Sequence, residues 1–332
     1  MPARLDLKAL APVAVLVLLC LVIWAFSPNF VSINNLIRIL NQAAIPMVLV
    51  MGATFVILMG SIDLSVEGIL SLCAVVTAAL VMNPVSADLA SLSAPVAAMV
   101  DANIGFLAIP VAILAGGLLG FVNGVVHVRL KVPSFMATLG IGFACLGIAT
   151  AALGGFPVRI SDRAFRQITL GRELFNVPNG VWLALAAVFV AYVVQEWTRV
   201  GRWIYAVGTD EVTARQSGVP VERTRIIVFT LAGLFSGLAG VMAAAQLGQG
   251  HALLGQGRLF TTITAVVVGG TALTGGVGSV LNSVVGVLIV VVLTNGMVLM
   301  GVETYVQQGV QGLLIIIAVA LALDRSQLDV VK

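Results

Sequence analysis

Charged residues are so sparse in this chain, and so confined to the gaps between long apolar runs, that water cannot be the solvent for most of it. Asp, Glu, Lys and Arg make up 9% of the 332 residues, against 60% hydrophobic residues and a mean hydropathy of +1.13. That leaves too little polar surface to cover a soluble globule, so the chain reads as an integral membrane protein. A bilayer-spanning helix takes about 20 mostly apolar residues. Ten such runs can be placed, at 9–26, 36–59, 64–82, 105–128, 134–155, 179–198, 226–248, 260–274, 279–300 and 306–323. The eighth is short, which predicts a broken or tilted helix. The expected fold is all-α, one transmembrane domain over 1–332 with about ten helices and no room for a soluble domain. Ten spans divide into two five-span halves, and an odd number per half sets them in opposite orientation, as inverted repeats are.

Arg4 and Lys8 precede the first run as in a signal peptide, but the run is long and Ser27-Pro28-Asn29 lacks a small-x-small cleavage pattern, so a retained anchor is expected. Ten spans place both termini on one side. With that side as the cytoplasm, eleven basic residues lie inside: Arg4, Lys8, Arg129, Lys131, Arg199, Arg202, Arg215, Arg223, Arg225, Arg325 and Lys332. Five lie outside, namely Arg159, Arg163, Arg166, Arg172 and Arg258, while Arg38 sits near an outer end. The positive-inside rule therefore predicts cytoplasmic termini. Residues 83–104 and 156–178 become the outer, periplasmic loops, and 199–225 the main cytoplasmic one.

Cys20, Cys73 and Cys145 all fall inside apolar runs and read as packing residues. His127 and His251 are isolated, so no metal site is expected, and the absence of a basic stripe with interleaved aromatics speaks against nucleic acid. No catalytic constellation is visible, which argues against an enzyme. Gly116, Gly120 and Gly124 share one helix face, as do Gly233 and Gly237, and such stripes let helices approach closely within one subunit or between two. Packing within the subunit is the reading adopted.

Asp63 and Glu67 are four residues apart, the spacing of an intramembrane carboxylate pair. The turn-like Gly60-Ser61-Ile62-Asp63-Leu64-Ser65 instead favours Asp63 as a helix N-cap with Glu67 in the first turn. The stretch from Gly269 to Ser279 is rich in glycine (Gly269, Gly270, Gly275, Gly276, Gly278) but has no following Lys, so a tight reversal between membrane helices is expected rather than a phosphate loop. Asn41, Gln42, Asn123, Gln246, Asn282 and Asn295 put neutral amides in or near spans, which suits a neutral hydroxylated solute.

Four ordered stretches carry a resemblance. They are Gly52-Ala-Thr-Phe-Val-Ile-Leu running into Gly60-Ser-Ile-Asp-Leu-Ser-Val; Gly120-Phe-Val-Asn-Gly continuing to Leu130-Lys-Val-Pro-Ser-Phe-Met-Ala-Thr-Leu-Gly140; Tyr205-Ala-Val-Gly with Ala214-Arg-Gln-Ser-Gly-Val219; and Val266 to Ser279. In these the chain resembles the membrane permease of bacterial ABC importers of the ribose/sugar class. The resemblance implies a ten-helix subunit in the bacterial inner membrane that pairs with a second copy or a paralogue. It also implies two cytoplasmic ATPase subunits, which hold the ATP and Mg, and a periplasmic solute-binding protein. Within 199–225, Gly208 to Val219 would form one short coupling helix, with Gly208, Asp210, Glu211, Ala214, Arg215 and Gly218 meeting the ATPase.

The chain departs from the family in two places. Gly60-Ser61 replaces paired glycines and Val66-Glu67-Gly68 replaces Val-Gly, while Arg258-Leu259-Phe260-Thr261-Thr262-Ile263 stands where Glu-Leu-Asp-Ala-Ile-Ala is usual. The expected function is an alternating-access pathway for a monosaccharide or related neutral polyol, lined by Asn41, Gln42, Asn123, Thr138 and Asn295. The rivals are a permease for a branched-chain amino acid or other small solute, an ion-coupled carrier using Asp63 and Glu67, and a membrane scaffold.

Overall fold

The computed structural model describes residues 7–81, 94, 98–99, 104–153 and 156–322. Through them run α1 (Leu7–Phe26), α2 (Ile33–Leu58), α3 (Val66–Val81), α4 (Ala108–Arg129), α5 (Ser134–Leu153), α6 (Arg163–Leu170) and α7 (Asn179–Trp197). The second half contains α8 (Arg199–Thr209), α9 (Glu211–Gln216), α10 (Val221–Leu247), α11 (Arg258–Val268), α12 (Val280–Leu299) and α13 (Thr304–Ala322). Each of the ten apolar runs holds one helix. Among the described residues six helices are long and apolar enough on their own to cross a membrane: α2, α4 with the turn before it, α5, α7, α10 and α12. The protein is an all-α membrane protein, because only a helix satisfies every backbone group from within one segment in lipid.

Burial separates an inner set of helices from an outer one. From Ala43 to Leu58 every residue of α2 except Pro46 is buried, as a helix apolar on all sides should be when it lies in a core. Helix α10 packs beside it, and α3 packs in turn on α10. On the outer helices Leu114, Leu118, Phe121, Phe143 and Phe189 are exposed, an apolar surface that lipid covers. Helices α4 and α10 meet along their glycine stripes. A Cβ at Gly116 would lie 2.8 Å from the Gly237 Cα, and one at Gly120 would lie 2.9 Å from the Gly233 Cα. The two stripes thus pack against each other within this subunit, where backbone contact replaces the hydrophobic drive that lipid removes.

Three segments differ from the sequence expectation in detail. The eighth run is helical only to Val268. Its Gly269 amide donates to Ala265 O at 2.9 Å, and Gly270 follows at φ +89°, a conformation that a side chain resists. Residues 156–178 carry a short strand, β1 (Val158–Arg159), paired antiparallel with β2 (Gln249–Gly250), and then α6, N-capped by Asp162. The segment Gly208 to Val219 is not one helix. Asp210 is extended (φ −160°, ψ 109°), so α8 stops at Thr209 and the short helix is α9. The expectation for 83–104 lies almost wholly outside the described residues.

Candidate functional site

The link between α2 and α3 is held from two neighbouring helices. Asp63 Oδ1 accepts the Ser65 amide at 2.8 Å and the Ser65 hydroxyl as well. Asn123, on α4, donates through Nδ2 to Ser65 Oγ at 2.8 Å, and Thr138 Oγ1, on α5, accepts the Leu64 amide at 2.9 Å. Helix α3 starts at Val66, so the cap position is Ser65 and Asp63 braces it from two residues upstream. Asp63, Asn123 and Thr138 therefore form one buried cluster, although they are far apart in sequence. Glu67 does not turn towards Asp63. Its Oε1 accepts the Leu259 amide at 2.9 Å and satisfies one of the free N–H groups opening α11. Ser71 Oγ accepts the Gly255 amide at 2.9 Å one turn further along.

A furrow runs between α2 and α11. Its larger cavity, about 120 Å³, is lined by Ala53, Ile57, Asp63, Val66, Thr262 and Ile263 among others. A smaller one of about 70 Å³, bounded by Pro46, Leu49, Arg258, Thr261 and Thr262, continues it, with Thr262 shared by both. Gln42 is one helical turn before Pro46 on the same face of α2, and it is exposed. Asn41 is partly exposed beside it. Asn295 lies elsewhere, in a reciprocal amide pair with Asn35 at 3.0 Å in each direction.

A second constellation joins α8 to two backbone turns. The Gly276 amide donates to Leu58 O at 2.8 Å, tying the turn after α11 to the end of α2. Gly208 packs on this bond so tightly that a Cβ there would lie 2.6 Å from Gly276 N and closer still to Leu58 O. Gly275 and Gly276 have φ of +89° and +76°, and Gly275 faces Gly60 and Gly208. Tyr205 donates its hydroxyl to Gly278 O at 2.7 Å, and Gln195 Oε1 accepts the Val280 amide at 2.7 Å. Burial, and then the charge of Glu196, push the Tyr205 phenol up to about 12, so it keeps the donated proton at any physiological pH. Gly269 and Gly270 open the same turn and Gly278 closes it.

Beyond this junction α9 projects from the surface. Asp210 caps it, accepting Val212 N at 2.8 Å, Thr213 N at 3.2 Å and the Thr213 hydroxyl at 2.8 Å. Those bonds hold the Asp210 carboxyl below the usual carboxylate range. Glu211 bridges to Arg215 at 3.3 Å and to Arg225, at the start of α10, at 2.6 Å. Ala214 faces inward, while Val212, Arg215 and Gly218 are exposed. Gly218, at φ +80°, turns the chain towards α10.

A family model described as "Branched-chain amino acid transport system / permease component" matches residues 35–319. The chain belongs to this permease family. The permease is 36% identical to the ribose import permease of Escherichia coli, over 92% of this chain and 91% of the relative. It is 33% identical to the ribose import permease of Bacillus subtilis, over 96% and 94% of the two chains. It is also 34% identical to the L-arabinose transport system permease of Escherichia coli, over 92% and 87%. No solved structure matches it.

Several parts of the permease's site carried no signal at the level of sequence. Tyr205 belongs to one of the four matching stretches but nothing local to it marks a role, and Gln195 is a single amide at the end of an apolar run. The spacing places Glu67 in the first turn of its own helix, where it favours that dipole, and the structure shows its side chain capping a different helix. Arg258, a departure from the family pattern, lies on the wall of the furrow.

Proposed function

We propose that this permease is the membrane pathway subunit of an ATP-driven importer for a monosaccharide or related polyol. The observation that carries this is the likeness to ribose import permeases over about nine-tenths of both chains. The pathway runs along the furrow between α2 and α11, with Gln42 and Asn41 towards its mouth and Asp63 at its inner end. Asn123 and Thr138 act on it indirectly by fixing the turn that carries Asp63, and Asn295 braces α12 against the start of α2. A second copy or a paralogue faces the furrow and closes the pathway.

Helices α8 and α9, in the cytoplasm with both termini, form the coupling segment for ATPase subunits that bind ATP and Mg. Residues 83–104 and 156–178 face the periplasm and receive a solute-binding protein, and the two five-helix halves run in opposite orientation. Movement of α9 reaches the pathway because α8 is bonded through Tyr205 to the turn after α11, that turn is bonded to the end of α2, and Gly208 packs on the joint between these two helices flanking the furrow. A mechanism of this kind needs ATPase closure to favour one helix arrangement over the other, and the junction supplies the contact that differs.

Glu67 and Asp63 are each engaged in a helix-end bond, which favours a structural role for the pair over an ion-coupled carrier built on it. Affinity purification from the native membrane, followed by mass spectrometry, tests the reading. Recovery of an ATPase and a binding protein supports it. Recovery of the permease alone, under conditions that keep a control importer whole, refutes it.

A further inference from the structure

Arg258 is, among the described residues, a cation without an acidic partner, partly buried on the wall of the furrow. Among the described residues no carboxylate pairs with it, and its one protein acceptor is Leu254 O, 3.5 Å from Nε. Glu67, bonded to the adjacent Leu259 amide, makes no ion pair with it. Its depth follows from the packing of α3. Gly250 lies against Ala74 and Ala78, whereas Gly255 lies against Glu67 and Ser71. That shift of about seven residues along α3 drops the chain by about 10 Å below the β1–β2 pair. Arg258 accordingly stands level with Pro46 and Leu49, near the middle of α2. A charge at that depth is costly unless something compensates it, which makes it a mark of function.

The neighbours of Arg258 define what could compensate it. Thr261 and Thr262 donate their hydroxyl protons to the carbonyls of Gly257 and Arg258, at 3.1 and 2.7 Å. What they offer the furrow is lone pairs, which accept hydrogen bonds from hydroxyl groups. At the other end of the furrow stands the Asp63 carboxyl, whose oxygens accept from hydroxyls. The remaining walls are apolar. The furrow thus presents one fixed cation and, beyond it, a row of hydrogen-bond acceptors.

Resting on the importer reading, we propose that the transported solute is an anionic polyol, a sugar acid, whose carboxylate is received by Arg258 while its hydroxyls face Thr261, Thr262 and Asp63. Arginine suits this because its planar fork meets a carboxylate with two parallel hydrogen bonds. A neutral sugar offers the guanidinium hydroxyl acceptors but no opposite charge to compensate it.

The test is uptake by the complete importer, with its own ATPase and binding protein, in proteoliposomes. The probes are two labelled pairs: ribonate with ribose, and glucuronate with glucose. At least one acid is taken up in preference to its neutral partner. Arg258→Gln lowers uptake of that acid by about tenfold or more, the loss expected when a charge-assisted hydrogen bond goes, and Arg258→Lys restores part of it. Variants whose complexes elute as wild type keep a folding defect from mimicking this. Preference for ribose or glucose, unchanged in Arg258→Gln, overturns the inference and leaves the importer reading standing. Uptake that ignores ATP overturns the importer reading, and the acid preference is scored separately from it.

Discussion

Gly208→Ala probes the contact through which α8 acts on the pathway. The added Cβ would stand 2.6 Å from Gly276 N and closer to Leu58 O, that is, on the two atoms joined by the 2.8 Å hydrogen bond between the end of α2 and the turn after α11. Both neighbours are backbone, so neither can move aside by changing a rotamer. Losing that bond in a buried place costs about 1–3 kcal/mol. Forcing a methyl group into a packed contact costs about 1–3 kcal/mol more. The sum, about 2–6 kcal/mol, is a large share of a typical folding free energy of about 5–15 kcal/mol. The variant should therefore melt at a lower temperature, and ATP-driven uptake per assembled complex should fall by about tenfold or more. Gly309→Ala is the control. Among the described residues no atom beyond its own helical turn lies within 4 Å of its added Cβ, and alanine in a helix gains about 0.5–1 kcal/mol over glycine, so it should be neutral or slightly stabilising. A Gly208→Ala importer with wild-type melting and uptake would refute the junction as a tight contact.

Tyr205→Phe keeps the shape of α8 but removes the bond to Gly278 O, so it should cost about 1 kcal/mol in stability and uncouple hydrolysis from uptake, read as more ATP split per solute moved. Arg215→Glu should weaken recovery of the ATPase in pull-downs without changing membrane insertion, since Arg215 is 57% exposed and α9 projects outward. Glu67→Gln retains an oxygen for the Leu259 amide, so uptake should stay within about twofold of wild type, whereas a proton relay through Glu67 would lose it. The Asp210 carboxyl is held low in the folded protein, so its contribution to α9 is complete above the ordinary carboxylate value and is lost as pH falls through the lowered one. ATPase association should then be flat from neutral pH down to about pH 4 in the wild type, and Asp210→Asn, which still caps α9, should weaken the dependence below that.

The class and the helices were legible because bilayer thickness sets a length that apolar runs must meet, whatever else the sequence does. The glycine stripes were legible for a similar reason, since spacing of four residues defines a helix face. Their partners were not. Tyr205 meets Gly278 across 73 residues, Glu67 meets Leu259 across 192, and Asn35 meets Asn295 across 260. Each such pairing depends on which helices lie side by side, and in a lipid environment many arrangements bury similar apolar surface. The same limit explains Asn123 and Thr138. As polar groups inside spans they read as pathway residues, and only their tertiary neighbours show that they grip the turn at 62–65. The break at Asp210 was missed for the opposite reason: its cap is local, but the resemblance had joined Gly208 to Val219 as one helix.

The central claim is that movement through the furrow is driven by ATP on partner subunits and not by an ion gradient. Proteoliposomes holding the complete importer, with binding protein outside, separate the two. Uptake of the four sugar and sugar-acid probes should require ATP and Mg on the ATPase side and be unaffected by a protonophore. Uptake that persists without the ATPase subunits and collapses with the protonophore would contradict the account.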